Sequence, residues 1–281
     1  MNHRIRIENY KERITKGVIY LFLALYGTVS LLPFVWALIS SLKDNDSILR
    51  HPFSLPKVFL WMNYPRAWTE AHLGLYTFNT ATYAVLATSI ILVISTMAAY
   101  VVSRVKPSLL LYTYFTLGIM IPVHTVLLPA FILVRNFGLF NTRLSIIIVY
   151  VAFNLSLSFF IMYGFLKGIP YELEEAALID GCSRTRTFFA VIFPLAQAGL
   201  ATTGVLTFLN LWNEFLMPLI LLTSQKLKVI TNGINDLREQ YGQNYGLIGA
   251  GLCISFLPMI VIYIAFQEQV IKGMMAGAVK G

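Results

Sequence analysis

The sequence predicts an all-α membrane protein with six transmembrane helices and one long patterned loop in the cytoplasm. Three observations carry that fold class. First, 57% of the 281 residues are hydrophobic and 12% are charged, with a mean hydropathy of +0.71; a soluble domain holds about 45–50% and 25%. Second, uncharged or nearly uncharged intervals recur at lengths that suit a hydrocarbon core of about 30 Å, which about 20 helical residues cross. Third, the alternating ten-residue segments of a membrane β-barrel are absent, and helices satisfy their backbone groups within one segment.

In chain order, residues 1–16 form a basic terminus with Arg4, Arg6, Lys11, Arg13 and Lys16. The first span, 18–42, is too long for the apolar core of a secretory signal and is read as a retained anchor. An outer loop follows, made irregular by Pro52, Pro56 and Pro65, with Trp61, Tyr64 and Trp68 suited to the membrane interface. The second span covers 78–103 and the third 108–134, joined by a tight inner turn. The fourth covers 144–166. An inner loop occupies 167–197. The fifth span, 198–222, contains one charge, Glu214. A polar outer connection with Gly233, Gly242 and Gly246 reads as flexible. The sixth span is 245–267, and the tail with Gly273, Gly277 and Gly281 is too glycine-rich to be expected as a helix. From residue 17 onward the chain is one transmembrane domain.

With the N-terminus inside, the inner segments hold twelve Lys and Arg and the outer segments nine. That bias, and the five basic residues before the first span, predict cytoplasmic N- and C-termini. The same distribution accounts for the net charge of +8 without nucleic acid. Cys182 and Cys253 suggest neither a disulfide framework nor a metal site. His3, His51, His72 and His124 lack metal-ligand spacing. No phosphate-cradling glycine loop is present, and no nucleophile, base or metal constellation lies within the spans. The chain is expected to be no enzyme and to bind no cofactor of its own.

The inner loop is the most informative stretch. Pro170 suits a first helical position, and Glu172, Glu174 and Glu175 follow where the helix dipole favours negative charge. Leu173, Ala176, Ala177 and Asp180 fall on one face, kept thin by the alanines. Gly181 ends the helix, and Ser183 caps a second short one that stops before Pro194. An acidic helix is a poor membrane-surface element, so the pattern predicts a docking knob for a cytoplasmic partner.

The pattern Glu175-Ala176-Ala177, three residues, Gly181, nine residues, then Val191-Ile192-Phe193-Pro194 resembles the signature of the permease subunits of ABC importers, of the MetI-like superfamily. Val191 and Phe193 replace Ile and Leu of that pattern, and Cys182 replaces a small residue. Residues 121–142, 206–222 and 270–281 resemble carbohydrate-type permeases of the maltose and glycerol-phosphate kinds. The resemblance covers most of residues 110–281. It implies a second permease subunit, two ATP-binding subunits that hold ATP and magnesium, and an extracytoplasmic solute-binding protein that delivers a sugar. It also implies that Glu174, Glu175, Ala176, Ala177, Asp180 and Gly181 couple to the ATPase. Glu175 and Asp180 would supply polar contacts there, and Gly181 the bend. The loop after the fifth span would reach the binding protein, and the tail would contact the ATPase subunits.

Polar residues inside the spans are the candidates for a translocation path. Glu214 lies about 12 Å from the outer end of its span at 1.5 Å per residue, where a charge is costly. Asn210 is expected on the same helical face and Asn213 offset from it. This face either borders the path or forms an interhelical hydrogen-bond network. His124 lies between Pro122 and Pro129, which free backbone carbonyls and can kink the third span; it is expected to be packed rather than to face a cavity, and Asn154 is a further candidate. Two other readings remain at this point. One is an ABC permease for a polyol or glycerol phosphate. The other is a secondary transporter driven by an ion gradient through Glu214, although the inverted repeats of such proteins are not visible.

Overall fold

The computed structural model describes residues 2–240, 242 and 244–278, with side chains over 12–240, 242 and 244–269. The side chains of Arg4, Arg6 and Lys11, and the last three residues of the tail, lie outside the described residues. The described chain is helical, without a strand. Among the described residues four helices are long and apolar enough to cross a membrane singly, or up to six if each of two bent pairs, Leu109–Met120 with Val123–Asn136 and Arg184–Leu195 with Gln197–Trp212, is one span.

The chain divides into two compact units. One holds the described residues up to Ala71 together with Leu237–Ile254. Its main element is α1 (Asn2–Ser41), and none of the apolar window within Glu12–Ser41 is buried in the isolated chain. The far end of α1 packs on the first turns of α14 (Tyr245–Ala278). There a Cβ on Gly246 would lie 2.3 Å from the Lys43 carbonyl oxygen, and one on Gly249 would lie 2.9 Å from the Ser41 amide. Only glycine permits that approach, as at close helix contacts in membranes. Lys43 is 2% exposed; its Nζ donates to the carbonyls of His51 and Ser54 at 2.7 Å each and to Ser54 Oγ at 3.2 Å. The lysine therefore ties down the proline-rich loop that follows α1. Two short helices lie in that loop, α2 (Asn45–Arg50) and α3 (Asn63–Thr69). Asp44 caps α2 by accepting from the Ser47 amide at 2.9 Å and from Ser47 Oγ at 2.8 Å. Those bonds hold its carboxyl below the ordinary carboxylate range. In α3, Tyr64 shares a 2.8 Å hydrogen bond with Ser41 Oγ, and burial pushes its hydroxyl upward.

The other unit holds His72–Asp236 and the described residues from Ser255 onward. It is built on α4 (Leu73–Tyr100), α7 (Arg143–Lys167) and α11 (Gln197–Trp212). Tyr83, Ala84, Ala87 and Ile91 of α4 pack with Ile146, Val149 and Tyr150 of α7 and Leu211 of α11. The alanines let the helices approach, and Ser158 and Thr207 share a 3.2 Å hydrogen bond between α7 and α11. A second cluster around Tyr100, Phe159, Leu166, Phe188 and Ile192 closes one end.

Two expected spans are corrected. The third, 108–134, is not one helix. It is α5 (Leu109–Leu117), a tight turn over Gly118–Met120, and α6 (Val123–Asn136), bent by 98°. Pro122 has no amide to give the Gly118 carbonyl, and its ring opposes a helical residue four positions back. Pro129 stays inside α6. The fifth, 198–222, stops at Trp212 and resumes as α12 (Leu216–Leu221). Pro218 accounts for the break by the same reasoning, since the residue four positions before it is Glu214. The second span is longer than expected: α4 continues through a π-helical turn at Val101–Val105, giving 33 residues from Leu73. The tail is helical as far as Ala278 despite its glycines.

Candidate functional site

The inner loop folds as two short helices with a bend. The first, α8 (Tyr171–Ile179), starts after Pro170, which occupies the cap and not the first helical position. Gly181 has φ +83°, which favours glycine. Its amide donates to the Leu178 carbonyl at 3.1 Å, and the Cys182 amide to Ala177 at 3.0 Å. This pair of bonds is the Schellman closure of a helix end. Ser183 caps α9 (Arg184–Thr187), its Oγ accepting from the Arg186 amide at 3.3 Å. A π-helical turn over Phe188–Ile192 and α10 (Phe193–Leu195) lead into α11.

The faces of α8 differ in part from expectation. Leu173, Glu175, Ala176, Ile179 and Asp180 are exposed, and Ile179 reaches 85%. Ala177 does not share that surface; it is buried together with Glu174. The Glu174 carboxylate turns inward, and its Oε1 accepts from the Tyr100 hydroxyl at 2.7 Å. Arg104, in the π-helical turn after α4, donates through Nη2 to the carbonyls of Leu166 and Ile169. Its guanidinium lies 3.8 Å from the centre of the Tyr171 ring, a cation–π contact. The Tyr171 hydroxyl donates to the Ser103 carbonyl at 3.3 Å. Arg104 Nε and Nη1, Ser103 Oγ and Glu174 Oε2 are buried without a hydrogen-bond partner, at about 1–3 kcal/mol for each neutral group and more for charged ones. Sequence reasoning missed Tyr100 and Arg104. Arg104 counts toward the inner positive charge, and nothing local marks it as buried.

The second candidate constellation lies at the break between α11 and α12. Asn210 and Glu214 do not share a helical face, because the helix ends between them. Glu214 is a cap: its Oε1 accepts from the amides of Leu216 and Met217 at 3.0 and 3.1 Å. The carbonyl that Pro218 leaves free on Glu214 accepts from Thr231 Oγ1 at 2.8 Å. Asn210 Nδ2 donates to Asn154 Oδ1 at 2.7 Å. Asn154, Asn210 and Glu214 line one cavity of about 60 Å³ with Tyr150 and Val123. Asn213 stays outside it, exposed, with its amide on the Leu209 carbonyl at 2.9 Å. His124 is not packed as expected; it is exposed in the first turn of α6, beside Val123, which does line the cavity. A larger cavity of about 460 Å³ beside the break of the third span is apolar apart from Ser156 and gathers none of the candidate polar residues.

The connection after α12, expected to be flexible, is folded. Asn79 Nδ2 donates to the carbonyls of Lys226 and Lys228 at 3.0 Å each, and Tyr83 to that of Leu227 at 3.3 Å. The segment then forms α13 (Ile230–Gln240), whose first amide donates to Thr80 Oγ1 at 2.8 Å. Asn232 of α13 donates to the Phe215 carbonyl at 3.2 Å. Helix α13 thus supplies a partner to the Glu214 carbonyl and a second donor to that of Phe215, which also accepts from the Leu219 amide at 3.1 Å.

Residues 90–275, which include both constellations, match the family model described as the binding-protein-dependent transport system inner membrane component. The chain belongs to this family. It is a permease subunit of an inner-membrane transport system and a transport component, not an enzyme. Among its relatives is a diacetylchitobiose uptake system permease protein of Streptomyces coelicolor, 35% identical over 92% of this chain and 87% of that protein. A probable starch degradation products transport system permease protein of Thermoanaerobacterium thermosulfurigenes is 36% identical over 88% and 91%. A trehalose/maltose transport system permease protein of Thermococcus litoralis is 31% identical over 96% and 99%. The fold is that of a chain in the crystal structure of a bacterial ABC transporter involved in the import of the acidic polysaccharide alginate. That match has a TM-score of 0.81 and 22% identity, and covers 92% of this chain and 97% of the other.

Proposed function

We propose that this permease subunit is half of the membrane pathway of an ATP-driven carbohydrate importer. A second permease subunit supplies the other half, two ATP-binding subunits hold ATP and magnesium, and an extracytoplasmic solute-binding protein delivers the sugar. The observation that carries this reading is α8: a short helix, closed at Gly181, that presents Leu173, Glu175, Ala176, Ile179 and Asp180 outward. These residues form a small projecting surface with acidic and apolar groups, suited to a groove on an ATPase subunit. The diacetylchitobiose, starch-product and trehalose/maltose systems of the relatives support a carbohydrate.

In this reading Asn154, Asn210 and Glu214 form one polar wall of the path. Their shared cavity of about 60 Å³ has room for waters but not for a sugar, so the wall is completed by the second permease subunit. Both termini and residues 167–197 lie on the cytoplasmic side.

The test is purification of the tagged chain from native membranes in mild detergent, with reconstitution of what co-purifies. ATP-dependent uptake of radiolabelled maltose, lactose or diacetylchitobiose is the expected result. A chain that is recovered alone and accumulates one of these sugars under an ion gradient without ATP overturns the reading.

A further inference from the structure

The joint between α8 and α4 has more order than a docking helix needs merely to be present. Tyr100 and Arg104 are four residues apart and lie on one side of the end of α4. Tyr171 and Glu174 are three residues apart and lie on one side of α8. They meet as two rungs: Tyr100 on Glu174 at 2.7 Å, and Arg104 on the Tyr171 ring at 3.8 Å. The pairing 100 with 174 and 104 with 171 means that the two helices run in opposite directions along this contact. Arg104 also ties the rung to the last turn of α7, through Leu166, and to Ile169 in the short link to α8.

The same joint holds four buried polar atoms without a partner: Ser103 Oγ, Arg104 Nε and Nη1, and Glu174 Oε2. A joint kept for stability alone is better served by an apolar pair. Unused bonding capacity on both a cation and an anion instead allows the rungs to re-pair as the helices shift, without either charge being left bare.

We propose that Tyr100, Arg104, Tyr171 and Glu174 form a strut that carries movement of α8 into α4. Glu174 is then a positioning residue that faces the membrane helices, while Glu175 faces the ATPase. This rests on the importer reading above. The strut ends on the helix that packs with α7 and α11, which carry Asn154 and Asn210, so a push on α8 reaches the polar wall through α4.

The test uses the complex purified with its ATP-binding subunits and reconstituted in proteoliposomes. A Cys182→Ser, Asn213→Cys chain serves as parent, and labelling by a membrane-impermeant maleimide is timed with and without Mg-ATP and vanadate. The parent is expected to change its labelling rate on ATP trapping. Tyr100→Phe and Glu174→Leu are each expected to reduce that change about tenfold, the effect of one hydrogen bond to a charged acceptor. The double variant is expected to be no worse than either single one, because both remove the same rung. Glu174→Gln keeps an oxygen for Tyr100 and is expected to restore most of the change. All variants are expected to retain ATPase subunits at the parental yield. Tyr100→Phe keeps the ring against Phe188 (centroids 5.2 Å apart), so the packing of the joint is preserved.

A Tyr100→Phe complex with the parental ATP response overturns the strut. So does loss of ATPase subunits from Glu174→Leu but not from Tyr100→Phe, which would place Glu174 at the docking interface. A parent with no ATP response at all is a different failure; it defeats the importer reading and takes the strut with it.

Discussion

Gly181 shows most directly how one residue shapes this protein. Its φ of +83° has open space around it, so the restriction is in the backbone and not in packing. Gly181→Val is expected to cost about 1–2 kcal/mol at this position and to misdirect the chain after α8. ATP hydrolysis without transport, with the spans intact by circular dichroism, is the outcome to measure; normal coupling would contradict the docking role. Glu214 is the opposite case, a side chain needed for its oxygen. Glu214→Ala is expected to cost about 1 kcal/mol through the lost cap, read as a lower melting temperature in detergent, whereas Glu214→Gln keeps an acceptor and most of the stability. Asp44 provides a pH dependence. Its carboxyl sits below its ordinary value because the charged form accepts from Ser47. The cap is therefore complete above the ordinary carboxylate range and is lost as pH falls through the depressed value. Faster exchange of the Ser47 amide, relative to its intrinsic rate, is expected at pH 3 than at pH 7. Asp44→Asn, which also caps, should remove the difference.

At the scale of elements, punctuation decided what was legible. The bend of the loop at 167–197 is written locally in Pro170, Gly181 and Ser183, and all three act in the structure within a residue of where the sequence places them. The breaks in the third and fifth spans are equally local: Pro122 marks the third span as one that can kink, whereas at Pro218 composition alone reads straight through an apolar run. The outer connection was misjudged for a different reason. The apolar and polar partners of α13 lie on α4, about 150 positions earlier, and no local pattern announces them. Thr231 tests this account. Thr231→Val removes the donor to the Glu214 carbonyl and is expected to cost about 1–3 kcal/mol. Adding Pro218→Ala returns an amide that can take the same carbonyl. The pair should therefore melt higher than Thr231→Val alone, and a lower melting temperature would show that Pro218 does not cause the break.

For the whole molecule, counting charges finds the long apolar intervals, because lipid penalises each charge and a membrane fixes span length; four helices of the described residues are long and apolar enough to cross singly, or up to six if each bent pair is one span. The joint of Tyr100 with Glu174, 74 residues apart, could not follow from any count. Long-range pairing of polar groups is set by tertiary packing, which a single sequence does not display. Orientation rests on basic residues and has a native reporter. Cys182 is partly exposed just after α8, and Cys253 is buried. In sealed right-side-out vesicles a membrane-impermeant maleimide is expected to leave the protein unlabelled until the membrane is permeabilised, when Cys182 alone reacts. Immediate labelling in sealed vesicles would reverse the proposed topology.

The buried Lys43 bears on how such subunits are mapped by covalent probes. Its amine is enclosed by three oxygens and shielded from solvent, while Lys57 and Lys226 are exposed. An amine-reactive cross-linker applied to the intact protein will therefore react at Lys57 and Lys226 and pass over Lys43. Capture of Lys43 by such a reagent would mark a chain whose outer loop has already come loose, which makes this lysine an internal gauge of sample integrity.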